Sequence, residues 1–486
     1  MRVVTWTVTA VAGMWMVMSF TYPFGWDQGI FAWVGDVIVR GGMPYRDAWD
    51  IKGPLIYYLY ALMQTIFGIQ LWSVRLLDGI LLIVATISMA RVGSAMTDGP
   101  MGRWVAIFFF LWYASHSYWH TAQPDGWAGM ILLMGFAPLL SAQGQASFWK
   151  LLGIGLSVGV VTLFKPLYAV FLLLPFIHVA MTPTSSRIKA CSAVVAGWTL
   201  PIILTAVWFS ARGALNELLE VYVRLSAMYL ALSPGDRVRG FVDYVLAGRV
   251  TAVALPLVVY GTLVFWRRQP RVAILLGSWT FLAASAVVLQ NRFFAYHWLP
   301  ILPPVVLLGA IGLHSVLLKM RALGLVFATV LLMHCVAPIV VEEIRFVAWL
   351  TGRIDRETYY DGYGEPGEEM KAVSWLRENG KEGGIYVFGW NTAIAWLSER
   401  EVISRFGFSM PLMLGNGTEI QSQYRHELLA ALGDRPPRYI VTGIQSERIL
   451  GAATNIDDFP ELADLVQRSY STVAKVGRLT IHELGQ

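Results

Sequence analysis

Three carboxylates stand where this apolar chain breaks into polar loops. They are Asp27 in "PFGWDQGIF", Asp50 in "DAWDIKGP" and Asp125 in "HTAQPDGWAGM". Each lies at the start of a predicted helix, where an Asp side chain commonly caps orphan amides. The same position suits a general base held at a membrane surface. Lys52 is two residues from Asp50, so an extended chain points both side chains to one side. A plain surface ion pair there would contribute only about 0–1 kcal/mol. Lys52, Lys165 in "TLFKPLY" and Arg292 in "NRFFAYHWLP" could together form a cationic pocket for a lipid phosphate. His116 and His120 are four apart and share a helix face. With Asp125 they could ligate a divalent cation such as magnesium, manganese or zinc. Tyr45, Arg46 and His297 complete the candidates for substrate contact. No glycine-rich phosphate loop and no chain of intramembrane carboxylates is visible in the sequence.

Most of the chain has to cross a membrane to position these groups. Of 486 residues, 56% are hydrophobic and 14% charged, against roughly 25% charged in soluble domains. The 20 Trp and 20 Tyr suit many membrane–water interfaces. The net charge of +5 comes largely from short loops between apolar runs, which excludes a nucleic-acid reading. Cys191 and Cys335 each fall inside an apolar run, so no disulfide framework is expected.

Apolar runs near 3–22, 72–95, 103–121, 126–141, 148–164, 166–182, 190–210, 243–265, 272–288, 298–317 and 322–341 predict about eleven crossings. The run at 53–68 is shorter and opens on Gly53-Pro54. Treating it as re-entrant or interfacial puts Arg91, Arg103, Lys150, Arg187, Lys189, "WRRQPR" and "KMR" on one side, the cytoplasmic one. The N-terminus is then cytoplasmic, and the first helix reads as retained rather than cleaved. The loops 23–71, 122–126, 211–242 and 289–297 and the C-terminal segment lie outside. Segment 28–40 carries Ile30, Phe31, Trp33, Val34, Val37 and Ile38 on one stripe, predicting a helix in the membrane plane.

The composition changes near 342. "GEEMKAVSWLRENG" predicts a helix and "GGIYVFGW" a strand. "YRHELLAALGDRPPRYIVTG" predicts helix then strand, and the last 28 residues or so predict a helix followed by strands. The expected organisation is a transmembrane domain, 1–341, followed by a small α/β extracytoplasmic domain, 342–486.

The pattern "G-x-P-Y-x-D…D-x-K-G-P" behind Asp27 and an amphipathic helix resembles the GT-C glycosyltransferases. The similarity is to the bacterial branch related to aminoarabinose transferases and protein O-mannosyltransferases. "WSVRLLDGILLI", "QPDGW", "NRFFAYHWLPILPP" and "IYVFGWNTAIAWLSEREVISRFGF" also look like that family, so the resemblance spans nearly the whole chain. It implies a polytopic α-helical fold and an inverting transferase on the outer face of the plasma (inner) membrane. It further implies a polyprenyl-phosphate sugar donor and an envelope glycan, lipid or protein as acceptor. By position, the family's first-loop acid falls on Asp27 and its second-loop acid on Asp125. Its acid–lysine pair falls on Asp50 and Lys52. Two departures stand out: Asp27 is followed by Gln28 where many relatives carry a second acid, and Asp50 is one residue further from its lysine. A transporter of lipid-linked sugars would share the basic pocket, and an inactive relative whose outer domain serves as an assembly scaffold is a second alternative. A transporter should also show paired half-sequences, and none are visible.

Overall fold

The computed structural model describes residues 2–97, 99–141, 146–184, 186–225, 237–247, 249–413, 418–443 and 455–485. They form two compact units, each assembled from separated stretches of chain. The first comprises residues 1–20, 75–208 and 235–344, and the second 21–74, 209–234 and 345–486.

The helices of the first unit follow the apolar runs. Five described helices are long and apolar enough to cross a bilayer: Leu71–Met96, Arg187–Ala211, Pro270–Gln290, Ala295–Lys319 and Arg321–Leu350. Shorter helical segments at Arg2–Ser19, Gly99–Ala114, Pro124–Ser141, Phe148–Thr162, Pro166–Met181 and Arg249–Arg268 fall on the other six predicted crossings. Large apolar side chains such as Phe281, Val207 and Leu204 point outward, as lipid contact requires. This is a multi-pass membrane protein. Helices pack closely where glycine removes the side chain. A Cβ on Gly261 would lie 1.9 Å from the Leu308 carbonyl oxygen, and one on Gly312 would lie 2.0 Å from that of Leu257. Such backbone approach is how helices associate when lipid is as apolar as the side chains.

In the second unit, the helices Trp26–Val39 and Pro54–Phe67 lie against each other. Gln64 Nε2 donates to the Ala32 carbonyl at 2.8 Å. At 14 residues, Pro54–Phe67 is about 21 Å long, too short for a hydrocarbon core of about 30 Å. The burial of Trp26–Val39 is wider than one stripe. Gln28, Gly29, Ala32 and Gly35 are buried along with Ile30, Phe31, Trp33 and Val34. Partners from far along the chain explain this: Gly29 abuts Ala393, and Trp33 packs on Gly407.

A four-stranded sheet closes the chain: β1 (Ile385–Phe388), β2 (Tyr439–Gly443), β3 (Tyr470–Val476) and β4 (Leu479–Leu484), in the order β1-β2-β4-β3. β1 and β2 are parallel, and the β2–β4 and β4–β3 pairs are antiparallel. Its core joins Val387, Val441 and Ile481 to Ala372 and Leu376 of the helix Glu365–Glu378. The predicted helix–strand alternation is present element by element.

Candidate active site

In the second unit, Asp27 occupies the first turn of Trp26–Val39, but the N-cap residue is Gly25. Capping falls to Gln28, whose Oε1 accepts the Gly25 N–H at 2.7 Å. The Asp27 carboxylate is therefore not spent on the cap. Its Oδ2 lies 3.9 Å from Lys52 Nζ, and each side chain is 17% exposed. That separation is an ion pair too long for a normal hydrogen bond.

Around Lys52 the chain bends instead of running extended. Asp50 is buried; its Oδ1 accepts the Ile51 N–H at 2.7 Å, and its Oδ2 accepts the Tyr57 hydroxyl at 2.8 Å. Burial pushes the Asp50 carboxyl up to about 6, opposed by Lys52 and the Tyr57 hydrogen bond and reinforced by Asp27. Tyr45 holds a left-handed backbone, φ 70°, which is costly for a residue with a Cβ. It is fixed there because its N–H donates to the Ala48 carbonyl at 2.7 Å and its hydroxyl to the Lys52 carbonyl at 2.8 Å. Arg46 is half-exposed and engages neighbouring Asp47, and its Nη1 donates to the Arg212 carbonyl at 3.0 Å.

In the first unit, Asp125 starts the helix Pro124–Ser141 and is fully buried. Its Oδ1 accepts from Lys165 Nζ at 2.7 Å and from the Tyr168 hydroxyl, while its Oδ2 has no hydrogen-bond partner among the described residues. Lys165 also donates to Gln290 Oε1 at 2.8 Å and lies over the Tyr168 and Tyr296 rings. The cation expected to meet phosphate is thus the partner of Asp125. Arg292 follows the left-handed cap Asn291 on a half-buried stretch. His297 is buried and packs edge-on against Tyr296.

The proposed metal ligands are not gathered. Among the described residues, no three His, Cys, Asp or Glu side chains form a group able to hold a metal ion. The His116 and His120 rings are edge to face with centroids 6.3 Å apart, and His116 Nδ1 is 2.8 Å from the Trp112 carbonyl oxygen.

Several buried polar groups were not singled out in the sequence. Arg75 and Asp78 lie on Leu71–Met96, inside the quoted "WSVRLLDGILLI". Asp78 Oδ1 accepts from Tyr113 at 2.6 Å and from Trp127 Nε1 at 2.7 Å, and Arg75 donates to Thr121 Oγ1 at 2.7 Å. Both charges sit in an apolar run, which is the signal that marks them. Glu369 is buried beneath the sheet, receives a 2.6 Å hydrogen bond from Asn391, and is pushed up to about 8 by burial.

Comparison of the sequence with protein-family models gives no match, and neither does comparison with curated proteins. Solved structures do match. ArnT from Cupriavidus metallidurans, bound to undecaprenyl phosphate, aligns with a TM-score of 0.63 over 98% of this chain and 97% of its own, at 14% identity. AglB, an oligosaccharyltransferase from Archaeoglobus fulgidus in complex with an inhibitory peptide and a dolichol-phosphate, aligns at 0.53 over 99% of this chain and 74% of its own, at 13% identity. The fold is that of the GT-C membrane glycosyltransferases. At this identity the likeness is one of architecture. The AglB of that organism has also been crystallised with zinc and sulfate, and it aligns at 0.50 over 90% of this chain and 67% of its own, at 13% identity.

Proposed function

We propose that the protein is an inverting glycosyltransferase of the outer face of the plasma membrane. It moves a sugar from a polyprenyl-phosphate donor to an envelope acceptor hydroxyl. The segment 1–341 is the membrane-embedded catalytic domain, with a cytoplasmic N-terminus, and 342–486 is extracytoplasmic. Asp27 takes the acceptor proton as that oxygen attacks the anomeric carbon, opposite the phosphate. The carbon–oxygen bond to the phosphate breaks through an oxocarbenium-like state, and its electron pair stays on the lipid phosphate. Lys52 stabilises the charge that grows there. Asp50 holds the Lys52 segment through Tyr57 and Ile51, and Tyr45 anchors the Lys52 carbonyl.

The observation that carries this reading is the Asp27–Lys52 pair, at 3.9 Å and partly exposed. It offers a base and a cation without each being consumed by the other, in a fold that two polyprenyl-phosphate-bound neighbours share. The test uses purified protein in liposomes with a labelled sugar on polyprenyl phosphate and an envelope extract as acceptor. The expected result is free polyprenyl phosphate and label on an envelope component. Donor that crosses the bilayer intact would replace this reading with transport.

A further inference from the structure

The C-terminal segment meets the chain just before Lys52 through Arg405. Arg405 makes a two-pronged pair with Glu427, Nε to Oε1 at 2.6 Å and Nη2 to Oε2 at 2.8 Å. That fork leaves Nη1 to donate to the Tyr45 carbonyl at 3.2 Å. The Arg405 carbonyl in turn accepts the Trp49 N–H at 2.7 Å. One residue thus bonds the backbone on both sides of the turn 45–49, ending next to Asp50. From Tyr45 the chain of contacts continues through its hydroxyl to the Lys52 carbonyl. The guanidinium also lies over the rings of Phe406 and Tyr424, 4.8 and 5.2 Å from their centroids, and Tyr424 packs on Trp49.

Tyr45 keeps a backbone conformation that a side-chain-bearing residue adopts only when its surroundings over-determine it. A fork-shaped, permanently charged donor suits that task, since separate guanidinium nitrogens meet both carboxylate oxygens and the carbonyl, a planar geometry that a single ammonium nitrogen does not reproduce. We propose that Arg405, held by Glu427, is a positioning residue that sets the geometry of the turn carrying Asp50 and Lys52. The C-terminal segment then has a part in the transfer step besides any role in stability or acceptor binding. This rests on the reading of Lys52 as the phosphate contact.

The experiment combines turnover with local hydrogen exchange on the full-length protein. In Arg405→Ala, kcat should fall about 10²-fold, the scale expected when a binding group is misplaced by about an ångström, with KM for the donor changing less. Amides of 43–52 should lose protection while β1, β2 and β4 keep theirs. Glu427→Ala should produce a smaller loss of the same kind, and adding it to Arg405→Ala should cost little more. Arg405→Lys should recover only part of the rate. Unchanged exchange across 43–52 in Arg405→Ala would overturn the proposal, as would a rate loss that tracks the folded fraction. If the wild-type protein releases no polyprenyl phosphate, the transferase reading fails, while the exchange measurement still decides whether Arg405 holds the turn.

Discussion

Asp27 and Asp125 each have a lysine partner, and the two pairs are built in opposite ways. Asp125 is fully buried and bonded to Lys165 at 2.7 Å, with Tyr168 and Gln290 completing the cluster. Asp27 and Lys52 are 3.9 Å apart and each partly exposed. The first pair is closed: its charges neutralise each other where water is scarce, so removing either leaves the other stranded. The second is looser and each of its side chains keeps some exposure. A carboxylate–lysine pair therefore does not identify catalysis by itself. Separation and access are what distinguish the two pairs.

The comparison can be broken experimentally, and the closed pair should respond most. Lys165→Met, which strands the Asp125 carboxylate, should destabilise the folded protein by about 3–5 kcal/mol, read from thermal unfolding in detergent. A change under about 1 kcal/mol would show that the pair is not closed in solution. Lys52→Met should behave inversely. Its stability should change by about 1 kcal/mol or less, as for partly exposed pairs, while transfer slows by about 10²–10³. Initial rates and unfolding curves on one preparation would check both.

Asp50 sharpens the same contrast through pH. Its folded carboxyl takes up a proton near 6, whereas an unfolded aspartate does so near pH 4. Between those values the folded state binds the extra proton, so this contribution to stability falls as pH rises from about 4 to about 6. The loss is on the order of 3 kcal/mol. Asp50→Asn should flatten that slope, as measured by denaturation at a series of pH values. A smaller effect is expected at the closed pair's hydroxyl: Tyr168→Phe removes one donor to Asp125 and should cost about 1–3 kcal/mol in stability.

Much of the scaffold was legible because periodicity and length are local. The eleven apolar runs became helices, and the short run after Gly53-Pro54 became a helix too short to span. Alternating strands after 384 became the mixed sheet. The candidate site was legible only in its conspicuous charges. Asp27, Asp50 and Lys52 were singled out because charges were conspicuous against an apolar background. The long-range pairings were not. Lys165 reaches Asp125 across 40 residues, and Arg405 reaches Tyr45 across 360. Contacts of that range leave no trace in spacing. The cap was misread for a related reason: Asp27 is the better capping type, yet the helix starts two residues earlier than such a cap implies and Gln28 folds back to Gly25. Glu369 was not singled out because the sequence does not reveal the Asn391 that satisfies it. The stripe on 28–40 was seen, but Gly29 and Gly35, where a Cβ would press on Ala393 and on Gln64, were not singled out.

The central claim is that the looser pair's carboxylate, Asp27, is the base. The measurement is single-turnover transfer by purified Asp27→Asn with polyprenyl-phosphate sugar, alongside binding of polyprenyl phosphate alone. The account predicts a rate lowered by about 10²–10⁴, with lipid-phosphate affinity and unfolding temperature close to wild type. Transfer at the wild-type rate in Asp27→Asn would contradict it.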